Sequence, residues 1–187
     1  MEIEAEAQRI INDIHEAFHG VRRGKVTLHE AEVLDGYGGT PEQLEARKLD
    51  TESRWEHVPD DHIANSFTVL CHVDPQSWRY YIAPYMIWSL RNFSTNYSVI
   101  IDHTIYTFEL YEASTGLREH VQERFSLLDQ PQSRCVCRFL RYMACQGDHV
   151  DDYQAKLALH KYWGQFCEGD GRGFTAVDQA NNANRPK

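Results

Sequence analysis

Phe67-Thr68-Val69-Leu70-Cys71-His72-Val73-Asp74-Pro75-Gln76-Ser77-Trp78-Arg79-Tyr80-Tyr81-Ile82-Ala83-Pro84 is the stretch on which the fold class turns. Residues 67–73 are rich in residues that favour a pleated strand. Asp74-Pro75-Gln76-Ser77 carries a turn signal, with proline where a type I turn accepts it. Trp78–Ile82 then returns as a second aromatic and β-branched run, so residues 67–82 read as a β-hairpin. Pro84 opens a helix through Tyr85, Ile87, Trp88 and Leu90 to about residue 93. On this reading Trp78, Tyr80, Tyr81, Tyr85 and Trp88 form a core where hairpin and helix meet. Residues 97–111 are again β-branched and aromatic, and the pattern leaves two alternatives: a third strand, or an extended cover over the core.

The flanks are helical. Ile3, Ala7, Ile10, Ile11, Ile14, Ala17, Phe18 and Val21 recur at spacings of three and four, which predicts an amphipathic helix over 2–21. Thr27 with Glu30 three residues on is a capping box, and the helix it starts stops at Gly36-Tyr37-Gly38-Gly39. Thr40-Pro41 starts a third helix, running to about Asp50, and Pro59-Asp60-Asp61 opens a short helical turn. Further helices are predicted within 116–128, from Asp129-Gln130-Pro131 to Gly147, and from about Val150 through Tyr162 and Trp163. The fold class expected is therefore α+β: a mostly helical single domain over 1–168 with a small antiparallel hairpin or sheet, followed by a flexible tail over 169–187, where Gly, Asn, Asp and Ala dominate.

The chain has 187 residues, 28 acidic and 19 basic, for a formal net charge of −9. That balance disfavours a nucleic-acid backbone or an anionic membrane as partner, because both demand clustered Lys and Arg. No apolar run approaches the length of a membrane helix, and the acidic start Met1-Glu2-Ile3-Glu4 is unlike a signal peptide, so a cytoplasmic protein is expected. Five cysteines without framework spacing fit reduced thiols, and Cys135-x-Cys137 has no second half that would make a zinc knuckle. The charge is uneven. Residues 1–62 hold 15 acidic and 7 basic residues, a surface suited to docking a basic protein or simply to solvation.

One motif matches zinc-peptidase chemistry: His15-Glu16-Ala17-Phe18-His19 is H-E-x-x-H on a predicted helix. With ten histidines and fifteen glutamates, about 0.04 such matches arise by chance. On a helical wheel His15 and His19 fall beside the apolar stripe, on the side shared with Gln8, Asn12 and Arg22, so the pair is expected to face water and hold no zinc. Arg22 and Lys25 stand where the longer signature needs glycine and a third histidine. Asp61-His62, Asp102-His103 and Asp148-His149 are sequence neighbours whose side chains point apart, and no nucleophile elbow or phosphate loop is present.

The ordered set Ala17-Phe18, Gly24, Thr27-Leu28-His29-Glu30-Ala31, Asp35-Gly36-Tyr37-Gly38, Asp50, Trp55, Pro59, Tyr80-Tyr81-Ile82-Ala83-Pro84-Tyr85-Met86 and Ala158-Leu159-His160-Lys161-Tyr162-Trp163 resembles a bacterial domain-of-unknown-function family, number 6714. The resemblance spans about residues 10–165 and implies no established activity. Asp35, Tyr37, Asp50, Trp55, Tyr81, Pro84 and Tyr85 are the positions that match the pattern.

The functional expectation is a non-catalytic protein-binding module without cofactor or metal. Its most concrete form is a cytosolic immunity protein that masks a toxin, with Asp35, Tyr37, Asp50, Trp55, Asp60 and Asp61 as the partner-binding candidates and a basic toxin surface as the partner. The blander reading pairs Asp50 with Arg47 or Arg54 and places Trp55 in the core. The alternative class is a hydrolase-type enzyme whose site is assembled from dispersed Asp, His and Tyr residues.

Overall fold

In a computed structural model, residues 2–94, 99–113 and 116–167 are described, and among them no residue lies in a β-strand. The fold is all-α, and the expected hairpin at 67–82 does not exist. Among the described residues the α-helices are α1 (Glu2–Ala17), α2 (Leu28–Asp35), α3 (Thr40–Ala46), α4 (Asp60–Asn65), α5 (Val69–His72), α6 (Pro75–Asn92), α7 (Val99–Tyr106), α8 (Arg118–Ser126), α9 (Gln130–Met143) and α10 (Asp152–Lys161). The tail read over 169–187 lies outside the described residues.

Asp74-Pro75 is the reason the hairpin reading fails. Asp74 is the N-cap of α6: its carboxylate accepts from the backbone N–H groups of Gln76 and Ser77, both at 3.2 Å, and Pro75 occupies the first turn. A capping aspartate followed by proline starts a helix just as well as it makes a turn, since proline's fixed φ suits both. The aromatic run that follows looked strand-like because α6 is buried nearly all round. Trp78, Tyr80, Tyr81, Ile82, Ala83, Tyr85, Met86, Ile87 and Leu90 all lie in the core, so no polar stripe reveals the helical period. Pro84 does not start a helix either. It sits inside α6, where it cannot donate to the Tyr80 carbonyl.

Within residues 67–73 no strand is present, and Val69–His72 form the short helix α5. Its carbonyls are claimed by one buried cation: Arg124 on α8 donates to Leu70 O (3.0 Å), Cys71 O (3.1 Å) and Val73 O (2.9 Å). Burial, the main influence, pulls the Arg124 guanidinium below its ordinary pKa. Residues 99–106 are helical too, so over that part of 97–111 neither the third strand nor the extended cover holds. Ile100, Ile101 and Ile105 of α7 are buried, and Thr104 donates its hydroxyl to Ile100 O at 2.7 Å. Packing against α6 overrides the weak helix preference of these β-branched residues.

The other helices follow their start signals. The apolar stripe of α1 places Ile10, Ile11, Ile14 and Phe18 in the core, against α6 and α9. Asp129 caps α9 in a full capping box with Gln132. Cys137 on α9 and Cys167 are joined as a disulfide with Cα atoms 5.7 Å apart, within the range for such bonds, so the expectation of five reduced thiols is corrected for this pair. Cys135 is a buried free thiol, which burial pushes up to about 12, too high to make it a reactive thiolate.

Asp74 offers a direct test. Its carboxylate also accepts from Lys25 N–H and Val26 N–H, each at 2.8 Å, and from the Ser77 hydroxyl at 2.8 Å. Burial alone would raise its pKa, but these hydrogen bonds outweigh burial and hold it below the usual carboxylate value. A depressed carboxyl pKa stabilises the fold fully above the unfolded-chain value of about 3.9, and that contribution disappears as pH falls through the lower folded value. Asp74→Ala is expected to cost about 2–3 kcal/mol in urea unfolding at pH 7. The gap between variant and wild type should narrow below about pH 4.

Candidate functional site

α2 brings two unusual ends together on one short helix. Its N-terminus is held by buried side chains. The Tyr81 hydroxyl accepts from Leu28 N–H at 3.0 Å, Asp50 Oδ2 from His29 N–H at 3.0 Å, and Glu30 Oε2 from Thr27 N–H at 2.8 Å. The predicted capping box is thus closed on its Glu30 side. Thr27 Oγ1 is buried and finds no partner among the described residues.

The opposite end is exposed. Tyr37 N–H donates to Leu34 O at 3.1 Å and Gly38 N–H to Val33 O at 2.8 Å, the crossed pair of bonds that closes a helix through a left-handed residue. That left-handed position, which favours glycine, is occupied by Tyr37 with φ +58°, the only described non-glycine residue at positive φ. Gly38 is required beside it, since a Cβ there would fall 2.4 Å from Val33 Cγ1. The Tyr37 side chain is 97% exposed. From Glu32 through α3 and the 3-10 turn Arg47–Leu49, no residue is buried, and Leu44 and Leu49 join Tyr37 among the exposed apolar side chains. Residues 32–49 thus form an ordered arm without a core of its own.

The arm returns to its base at Asp50. The Asp50 side chain is 1% exposed, and its Oδ1 lies 2.7 Å from His29 Nδ1. The His62 ring, from α4, meets the His29 ring edge-on with centroids 4.5 Å apart. One ligand atom from each of His29, Asp50 and His62 lies within 4.8 Å of the others. Around them Arg23 pairs with Glu52 at 2.7 Å and donates to the Asp50 carbonyl at 3.2 Å. Burial above all raises the Tyr81 phenol, with Asp50 and Glu52 adding to it against Arg23. Tyr85 is raised well above its ordinary value by burial and by Glu32, Tyr81 and Asp50. Both phenols therefore keep their protons; Tyr85 donates to Ser66 O at 2.5 Å. Chemically, the cluster is a carboxylate-oriented imidazole beside a second imidazole.

The candidates read from sequence divide accordingly. Tyr37, Asp60 and Asp61 are exposed, the two aspartates in the first turn of α4. Asp35 is exposed but engaged, accepting from the Thr68 hydroxyl at 2.8 Å and pairing with His72 at 2.9 Å. Asp50 is buried against His29, while Arg47 pairs with Glu30 and Arg54 with Glu56, so neither arginine holds it. Trp55 is core: its indole N–H donates to Phe18 O at 2.8 Å. Asp50 and Trp55 are therefore not free to meet a partner. His15, Glu16 and His19 are exposed as expected; the His15 ring covers Trp55 at 5.1 Å, and His19 lies 4.0 Å from Glu56. The pairing of His29 with His62 was missed. They lie 33 residues apart, and no spacing rule links them.

The whole is an all-helical fold whose second helix presents a strained tyrosine at one end and a buried histidine–aspartate cluster at the other. The chain belongs to the family of unknown function DUF6714, whose model matches residues 6–167. No curated protein and no solved structure matches it.

Because the Tyr37 side chain touches solvent alone and its backbone is left-handed, Tyr37→Gly is expected to leave stability unchanged or raise it by up to about 1 kcal/mol. Chemical denaturation of the two proteins checks this. A loss above that size would mean Tyr37 supports the fold.

Proposed function

We propose that the protein is a non-catalytic binding module whose arm, residues 32–49, docks on a basic protein. The observation that carries this reading is Tyr37: a large aromatic side chain, almost fully exposed, kept in a backbone conformation that glycine would adopt at lower cost. Exposed tyrosines are strong interface residues because they bring large, amphipathic contact area at low entropic cost. Leu44 and Leu49 add apolar contact. Glu42, Asp60 and Asp61 make no ion pair among the described residues, which leaves them available to a partner's Lys or Arg. The concrete form of the reading is an immunity protein in the bacterial cytoplasm, with the cognate toxin as the basic partner.

A second reading has its own support. The meeting of His29, Asp50 and His62 beside Tyr81 and Tyr85 fits an enzyme assembled from dispersed Asp, His and Tyr residues.

Binding to the product of the neighbouring gene separates the two. For the docking reading, Asp60→Lys with Asp61→Lys should slow association at least several-fold at low salt and remove much of its salt dependence. Tyr37→Ala should speed dissociation about 30-fold, the size of a central interface residue. Unchanged rates in all variants would defeat the docking reading, and turnover lost with His29→Ala would favour the enzyme.

A further inference from the structure

We propose that His29, Asp50 and His62 form a binding site for one divalent transition-metal ion of the zinc class. Two imidazoles and one carboxylate are the ligand types such an ion takes, and their atoms already lie within 4.8 Å of one another. Tetrahedral ligands about 2.0–2.2 Å from a shared ion lie about 3.3–3.6 Å from one another, so the 2.7 Å His29–Asp50 pair must open by under an ångström and any pair at the 4.8 Å limit must close by about an ångström, movements that side-chain torsions supply. The closest pair, His29 Nδ1 and Asp50 Oδ1 at 2.7 Å, shares a proton that the ion would replace.

The surroundings suit a cation. Asp50 Oδ2 is committed to the His29 backbone N–H, which fixes the carboxylate and leaves Oδ1 as the single ligating oxygen. Arg23, which donates to the Asp50 carbonyl, is matched by Glu52. Deep burial of the Asp50 side chain strengthens its attraction for a positive charge that displaces the proton. The three ligands come from the first turn of α2, the residue closing the arm and the short helix α4, so the ion would fasten the base of the arm to two other elements. Three protein ligands leave a fourth position open. The inference uses none of the residues proposed to meet a partner and stands or falls separately from docking.

The test uses the full chain, stripped with chelator and titrated with Zn²⁺ by calorimetry and with Co²⁺ by visible ligand-field absorption. The expected result is one ion per chain and a melting temperature roughly 5 °C higher when zinc exceeds its Kd a hundredfold. His62→Gln and His29→Gln should weaken binding at least about tenfold to a hundredfold. His15→Ala with His19→Ala should change nothing. Asp50→Asn risks misfolding, so His62→Gln carries the decision, checked against wild type by the far-ultraviolet circular dichroism of the metal-free proteins. No saturable binding by the wild type, or binding lost with His15 and His19 but kept in His62→Gln, overturns the proposal.

Discussion

The Asp74 carboxylate is the constraint on which the rest of the molecule depends. It starts α6 from within and seizes the Lys25 and Val26 N–H groups from without, so one side chain fixes both the central helix and the loop leading into α2. The approach is close enough that residue 24 must be glycine. A Cβ there would lie 2.2 Å from Asp74 Oδ1 and 2.6 Å from the Ser77 nitrogen, both of which belong to the structure that does the holding. One turn along α6 from Ser77, Tyr81 completes the arrangement by accepting the Leu28 N–H. The α2 axis is therefore set at its first residues by groups projecting from α6.

This gives α2 a division of labour. Its first turn is satisfied by Tyr81, Asp50 and Glu30 inside the protein, while its last turn closes in solvent through Tyr37. The arm beyond does not drift from the body, because Arg47 reaches back to Glu30 and to the Lys25 carbonyl, and Asp50 reaches back to His29. An element with no buried residue is thus held in place by polar contacts at its root. On the proposed docking reading, such an element displays a contact surface without spending apolar side chains on a core. Its root is also where the two histidines meet, so display and cluster share the same supports.

Much of the helical framework was legible in the sequence. The stripe of α1, the glycines after α2, Thr40-Pro41, and Asp129-Gln130-Pro131 are local signals whose chemistry acts within one or two turns, and each element formed where it was expected. The misreadings over 75–82 and 99–106 share one cause, burial on nearly every side. Binary periodicity reports which face meets water, and α6 has almost no such face. Where every position is buried, helix and strand look alike, and Asp74-Pro75 tips the sequence reading to a turn, although Thr40-Pro41 and Asp129-Gln130-Pro131, each also a capping residue closely followed by proline, read as helix starts.

For the candidate surface, composition located the acidic first third, and the glycines around Tyr37 marked the end of a helix, but neither told exposed residues from buried ones. Asp50 and Trp55 looked as free as Asp60 and Asp61. Only packing decided that Trp55 would donate to Phe18 and Asp50 would face His29, because the partners lie 37 and 21 residues away and no local periodicity links them. What the sequence by itself determined was local: where helices start and stop, the sign of the charge, and the wet face of His15 and His19. What only the tertiary structure decided was which of those helices is surrounded, and hence that the chain holds helices where a sheet was expected. It also decided which distant histidines and carboxylates come within bonding distance, because burial and long-range contact are properties of the packed assembly and not of any window of residues.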